Sequence, residues 1–270
     1  MKTDSLISTV EKDRSLTFSV QKALRLLQAF SMEKPEQSLV ELAARTGLSV
    51  STAHRLLATL EAEGFVTRAV GNAHYRLSIK VFELGSIVLH GMELNVVGMP
   101  VLARLSIETE DTTYLTVLSD DQVLCIARIE GVKHLRSQFL AVGRYLPPHA
   151  GAASKVLLAY LPPERARSVL TQHPLPAYTE NTITDPDDII DMLRLVRDQG
   201  YASSVEEITR GITAIAAPIM DQTGRVVAAV SLSGAASRFA PEHLPSRVEK
   251  VRDAGYQISA RLGYFPGLTL

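Results

Sequence analysis

At 270 residues the chain exceeds one minimal domain and falls short of three, so two domains are expected. A composition 46% hydrophobic and 21% charged, with one cysteine, excludes disorder, collagen-like repeats, a disulfide framework and a cysteine-built metal centre. No apolar run approaches the ~18 residues of a membrane span, and residues 1–14 mix acids with bases, so a soluble, cytoplasmic protein without membrane contact is expected.

The net charge of −1 argues, as a whole-chain number, against a nucleic-acid binder. Residues 42–80 are different: Arg45, Arg55, Arg68, Arg76 and Lys80 stand against only Glu61 and Glu63. Ahead of them, Val20, Ala23, Leu24, Leu27 and Phe30 recur at helical spacing and predict an amphipathic helix. The chain breaks at Lys34-Pro35. Ser38-Leu39-Val40-Glu41 is then a capping box, and Gly47 supplies a left-handed stop. Ser49 caps a third helix running to about Glu63, with Ala43 small enough for close crossing. Two helices about a glycine turn are a helix-turn-helix.

In the third helix Ala53, Leu56, Leu57 and Leu60 form the inner face. Ser51, Arg55 and Ala58 point away, flanked by Thr52, His54 and Thr59. A guanidinium, hydroxyls and a methyl are the groups that read base edges and phosphates. A solvated helix face would look the same in isolation, but the segment after this helix favours DNA. Phe65–Arg68 and His74–Leu77 flank Gly71-Asn72 as a β-hairpin, with Arg68 and Arg76 expected beside the recognition helix. Residues 1–80 thus read as a winged helix-turn-helix, with Arg45, Ser51, Thr52, His54, Arg55, Arg68 and Arg76 as candidate DNA contacts.

Ser78 caps a helix to about Gly91 that is apolar on more than one side, through Ile79, Phe82 and Leu89 and through Val81, Leu84 and Val88. Residues 79–95 are read as a linker that either fills a core between domains or pairs with another subunit. Pro100 kinks or restarts helix, which continues to the acidic end at Glu108–Asp111. Thr113–Ser119 and Val123–Glu130 form a hairpin across Asp120-Asp121, with a third strand at Arg136–Leu140. Gly151 opens a helix to Tyr160, and Leu161-Pro162-Pro163 starts another to Leu170. Asp185 caps a helix striped by Ile189, Ile190, Leu193 and Val196 and ended by Gly200. Strands recur at Ile212–Met220 and Arg225–Ser233, and Ala240-Pro241 leads into a last helix to about Leu262. Residues 96–270 read as an α+β domain.

Catalytic motifs are missing: there is no Gly-x-Ser-x-Gly, no Walker spacing and no histidine pair at metal-ligand spacing. Cys125 lies in an apolar strand and reads as an inert thiol, and His149 and His173 read as surface or packing residues. No catalytic residue, metal or cofactor is expected. Binding chemistry is better supported. Strand alternation sets Val226, Ala228, Val230 and Leu232 on one face and Val227, Ala229, Ser231 and Ser233 on the other. Two hydroxyls would then share a cavity, and Gly151-Ala152 at a helix start would offer N–H groups to an anion. Small residues under a close-packed helix would give the same pattern.

Several of these segments together are similar to transcriptional regulators of the IclR family, from Ser19 to Tyr264. They are Val20–Leu27, Leu42-Ala43 with Gly47-Leu48-Ser49, Ala53–Leu57 and Leu146–Lys155. The others are Gly200-x3-Ser204-x2-Glu207-x6-Ala214-Ile215-Ala216-x2-Ile219-Met220-Asp221 and Val230–Gly234. The resemblance implies an α+β fold, with a winged helix-turn-helix joined by a linker helix to a GAF-like effector-binding domain. It implies a dimer of dimers on palindromic double-stranded operator DNA, controlling a catabolic or efflux operon as repressor or activator. A small organic acid or aromatic metabolite would be the effector, and Ser204 and Ala214 would join Gly151, Ala152, Ser231 and Ser233 in binding it. Relatives carry an aromatic residue or histidine at Met220, often cysteine at Ala214, and in some cases aspartate at Ser204. The less polar wall favours a carboxylate with an apolar or aromatic body. The rival expectations are an enzyme with a catalytic GAF-like domain and an architectural DNA-binding protein without effector.

Overall fold

The computed structural model describes residues 16–69, 73–91, 93–133, 141–172 and 174–266. The expected Gly71-Asn72 turn, the expected strand at Arg136–Leu140 and His173 lie outside the described residues. The chain divides into two compact units, with the boundary between Val88 and Leu89.

The first unit contains α1 (Phe18–Gln28), β1 (Glu36–Gln37), α2 (Leu39–Thr46), α3 (Val50–Ala62), β2 (Val66–Arg68), β3 (Tyr75–Leu77) and the start of α4 (Ile79–Gly91). The capping box forms as the sequence dictates: Ser38 Oγ accepts from the Glu41 N–H at 3.3 Å, and Glu41 Oε2 accepts from the Ser38 N–H at 2.8 Å. Gly47 closes α2 at φ 67°, a left-handed conformation that costs glycine little.

The expected face of α1 is corrected. Leu26 is fully buried and Ala23, Leu27 and Phe30 pack around it, while Val20 and Leu24 are exposed. The face that meets Leu42, Ala53 and Leu57 keeps Ala23, Leu27 and Phe30 of the expected stripe and is centred on Leu26 in place of Val20 and Leu24. The two-residue β1 is too short to show periodicity. It joins the hairpin as a third strand in the order β1-β3-β2, and Gln37 behind it donates to Ala29 O at 2.9 Å.

The second unit contains α5 (Glu93–Thr109), β4 (Thr112–Ser119), β5 (Gln122–Ile129), β6 (Tyr145–Leu146), α6 (Ala152–Ala159), α7 (Pro163–Gln172) and α8 (Pro186–Gln199). It continues through β7 (Ala202–Val205), β8 (Ile212–Met220), β9 (Val226–Ala235), a 3-10 turn (Ala236–Phe239) and α9 (Leu244–Arg261). Its antiparallel sheet runs β6-β5-β4-β9-β8-β7. Helices α5 and α9 cover one face, over Leu115, Ile215, Val230 and Leu232; α6, α7 and α8 cover the other, over Tyr114, Ala216 and Ala229. Asp120 and Asp121 both take positive φ, as a tight hairpin turn requires.

The β9 alternation holds from Ala228 to Ser233 but fails at Val226, which packs on the α6 side. The register passes from Ile219–Ala228 to Met220–Val226, so Val227 is an extra residue that turns Val226 over. Fully buried Asp111 accepts from Arg238 Nε at 2.6 Å and from Arg247, tying the start of β4 to the 3-10 turn and α9. Among the described residues no single helix is long and apolar enough to cross a membrane.

Candidate functional site

The outward face of α3 carries Ser51, His54, Arg55, Ala58 and Thr59, opposite buried Ala53, Leu57 and Leu60. Ser49 caps the helix, and its Oγ lies 3.2 Å from the Ser51 hydroxyl and 2.8 Å from that of half-buried Thr52. Those two hydroxyls are therefore oriented at the helix start. Arg55 and His54 form no side-chain hydrogen bond or ion pair among the described residues. Arg45, in the last turn of α2, donates to Gln37 Oε1 at 3.2 Å.

The two wing arginines differ. Arg76 stands opposite Thr67 and Glu36 in the three-stranded sheet, 3.9 Å from the Glu36 carboxylate. Arg68 pairs across from buried Tyr75, lies 5.2 Å over that ring, and reaches Glu61 of α3 at 3.3 Å. Lys80 donates to Glu63 O at 2.8 Å, at the carbonyl end of α3, where a cation is favourable. It braces that helix.

In the second unit, Gly151, Ala152, Ser204, Ala214, Ser231 and Ser233 all line one small cavity. Cross-strand register does this: Ser204, Ala214 and Ser233 form one row across β7, β8 and β9, and Ser231 sits one step along beside Ala216. Leu146, Ile208, Thr209 and Ile212 complete the lining. Ser204, Ser231 and Ser233 are 5%, 4% and 6% exposed, and among the described residues their hydroxyls have no hydrogen-bond partner.

The expected anion site at the start of α6 is partly taken by the protein. The Gly151 N–H, expected to face a ligand, donates instead to Glu207 Oε2 at 3.2 Å. The other oxygen of Glu207 is ion-paired with Lys155, whose ammonium also donates to Ser203 O at 3.0 Å. All of α6 is buried, so its one lysine requires a buried carboxylate. The N–H groups of Ala152 and Ala153 are the first of the helix proper and have no partner within it. Gly151 itself has φ 93°, and a Cβ there would come within 2.9 Å of Ile208 Cδ1.

His149, just ahead of α6, is a packing residue: it is 1% exposed, hydrogen-bonded to Pro176 O at 3.0 Å and stacked on Tyr178. Burial lowers its pKa, against the opposing pull of Pro176 O and Glu207. Cys125 is buried, its thiol bonded to Ala127 O, and burial pushes its pKa up to about 11, as an inert thiol requires. Among the described residues no three His, Cys, Asp or Glu side chains gather as metal ligands.

The model of the IclR helix-turn-helix domain matches residues 19–69, and that of the C-terminal domain of bacterial transcriptional regulator IclR matches residues 86–260. The chain belongs to the IclR family. It is a DNA-binding transcriptional regulator and not an enzyme, and its α+β fold is that of the family. It is 32% identical over 246 residues to the transcriptional regulator KipR of Bacillus subtilis, covering 91% of this chain and 97% of KipR. It is 33% identical over 255 residues to KdgR of Escherichia coli, covering 94% and 96%.

Among solved structures, a transcriptional regulator from Alicyclobacillus acidocaldarius superposes with a TM-score of 0.80 at 29% identity, covering 92% of this chain and all of that one. An IclR homologue from Microbacterium hydrocarbonoxydans, crystallised with 4-hydroxybenzoate, superposes with a TM-score of 0.79 at 29% identity, covering 90% and 98%.

Within this IclR-family fold, sequence reasoning missed the Lys155–Glu207 pair and Thr209. The first had a signal: a lone lysine in the otherwise uncharged run from Ala150 to Tyr160. Thr209 had none, because its place depends on how the β7–β8 connection folds back.

Proposed function

We propose that this regulator reads operator DNA through residues 1–80, couples and dimerises through 79–95, and binds a small-molecule effector through 96–270, in the cytoplasm. Arg55, His54, Ser51 and Thr52 face base edges, and Arg45, Arg68 and Arg76 hold the phosphate backbone. The effector is a small organic acid with an apolar or aromatic body. Its carboxylate is held by the hydroxyls of Ser231 and Ser233 and by the N–H of Ala152, with Ser204 and Ala214 on the remaining wall. Gly151 serves by its shape, since its N–H belongs to Glu207.

The observation that carries this reading is the convergence of three nearly buried serines, from two different strands, on one cavity at the start of α6. The 4-hydroxybenzoate held by the Microbacterium relative is a ligand of the same class. To move the protein from 1:99 to 99:1 between DNA-competent and incompetent states, the effector must prefer one by ~5.5 kcal/mol. The operon is catabolic or concerned with efflux, and the operator has palindromic half-sites facing a dimer or tetramer.

The test replaces Ser231 and Ser233 together with alanine and titrates operator DNA by fluorescence anisotropy, with and without candidate acids. DNA affinity without effector should stay near wild type while the effector's influence disappears. Undiminished effector affinity in calorimetry would place the pocket elsewhere.

A further inference from the structure

We propose that Thr209 is a second polar anchor of the effector cavity, so the ligand it accepts is a monocarboxylate that also carries a neutral hydroxyl or oxo group. This role for Thr209 rests on the cavity being the effector site. One atom points to it: Thr209 Oγ1 is buried and has no hydrogen-bond partner among the described residues.

The neighbouring threonines behave otherwise. Thr179 Oγ1 donates to Glu206 O at 2.7 Å, and Thr182 Oγ1 donates to Glu207 O at 2.6 Å. The segment carrying Thr209 is thus pinned from outside. It is also closed on itself, by Glu206 N to Ile212 O at 3.0 Å and Ile212 N to Thr209 O at 3.2 Å. The backbone on which Thr209 stands is thus held in place, and Thr209 lines the cavity.

The chemistry of the lining sets the ligand class. The serines belong to the sheet, whereas Thr209 belongs to the β7–β8 connection, whose Ile208 abuts the start of α6. Apolar Ile208, Ile212 and Ala214 share the lining with these two polar groups. No residue lining the cavity carries a charge, and the Lys155–Glu207 pair beside it is internally neutral. A single uncharged hydroxyl pairs with a hydroxyl or carbonyl and does not offset a second carboxylate. A site built to hydrogen-bond such a group rejects the analogue that lacks it, because its own hydroxyl is then left unpaired.

The test uses the full chain and three matched pairs of acids: benzoate and 4-hydroxybenzoate, butanoate and 4-hydroxybutanoate, pentanoate and 4-oxopentanoate. Terephthalate and succinate serve as diacids. Calorimetry on the wild type should show at least one pair whose hydroxy or oxo member binds tenfold or more tightly than its parent, with the diacids weaker than that member. Thr209→Val, which keeps the side-chain shape, should bring the ratio within about twofold, and Thr209→Ser should retain it. Ser231→Ala with Ser233→Ala should remove binding of both members. A ratio that survives Thr209→Val while the double serine variant still abolishes binding overturns the Thr209 assignment and leaves the effector cavity standing. Undiminished binding in the double serine variant overturns the cavity and this inference with it. Binding by no pair, or equal binding within every pair, overturns the ligand class.

Discussion

Single residues that look alike in the sequence have unlike surroundings. Arg55 projects from α3 without a partner among the described residues, so Arg55→Ala should weaken specific operator binding by about 1–3 kcal/mol and leave the melting temperature unchanged. Arg68 is stacked on Tyr75 and paired with Glu61, so Arg68→Ala should lower both DNA affinity and melting temperature. Anisotropy at matched salt together with thermal melts separates the two cases; an unchanged operator affinity for Arg55→Ala would remove α3 from the recognition role. Gly151 is the other residue whose neighbours decide its role. With φ at 93° and Ile208 against it, Gly151→Ala should destabilise the fold by more than about 1 kcal/mol and weaken effector binding. A variant that melts like wild type would show that the β7–β8 connection shifts freely. The helix start around Gly151 was legible from its sequence, but the carboxylate that occupies its N–H was not, because Glu207 lies 56 residues away.

Among the elements, α6 depends most on a distant partner. Lys155 and Glu207 are both nearly buried, so Glu207→Gln or Lys155→Met alone leaves an uncompensated charge and should cost about 3–5 kcal/mol in urea unfolding. The double variant should recover part of that loss, and strict additivity would show that the pair is not coupled. The loop ahead of α6 makes stability depend on pH. Burial holds the folded His149 below its ordinary value of 6.5, so as pH falls the unfolded chain takes up a proton first. Stability is complete above about 6.5 and is lost as pH drops from there through the lowered folded value. Melts between about pH 8 and about pH 5 should show this slope, and His149→Asn should flatten it; equal slopes would exclude His149 as its source. Elements with strong local signals were legible: the capping box of α2, the Asp120-Asp121 hairpin, and the long strands β8 and β9. The short strands β1, β6 and β7 were not: two to four residues show no period, and unlike β2 and β3 they had no turn signal read between them and a partner strand.

For the whole molecule, the outstanding feature is α4, where Ile79, Phe82, Ile87 and Val88 are each more than 60% exposed. Large apolar side chains left exposed in this number on one helix are what a subunit contact would bury. Light scattering at micromolar concentration should show a dimer or tetramer, and Phe82→Glu should shift it toward monomer; a wild-type monomer, with and without DNA, would refute the assembly. The sequence by itself determined what local physics governs: helix periods, caps and turns, the two faces of β9, and the domain order that the family resemblance carries. The tertiary structure decided what depends on pairing between distant segments. It rotated the buried face of α1 onto Leu26, turned Val226 over at a bulge, and gave the Gly151 N–H to Glu207. It also brought Ser204, Ala214 and Ser233 into one row, joined by Ser231 and Thr209 around a single cavity. Periodicity specifies which face of an element a residue occupies, whereas the partner on that face is set by cross-strand register and packing, which no local pattern encodes.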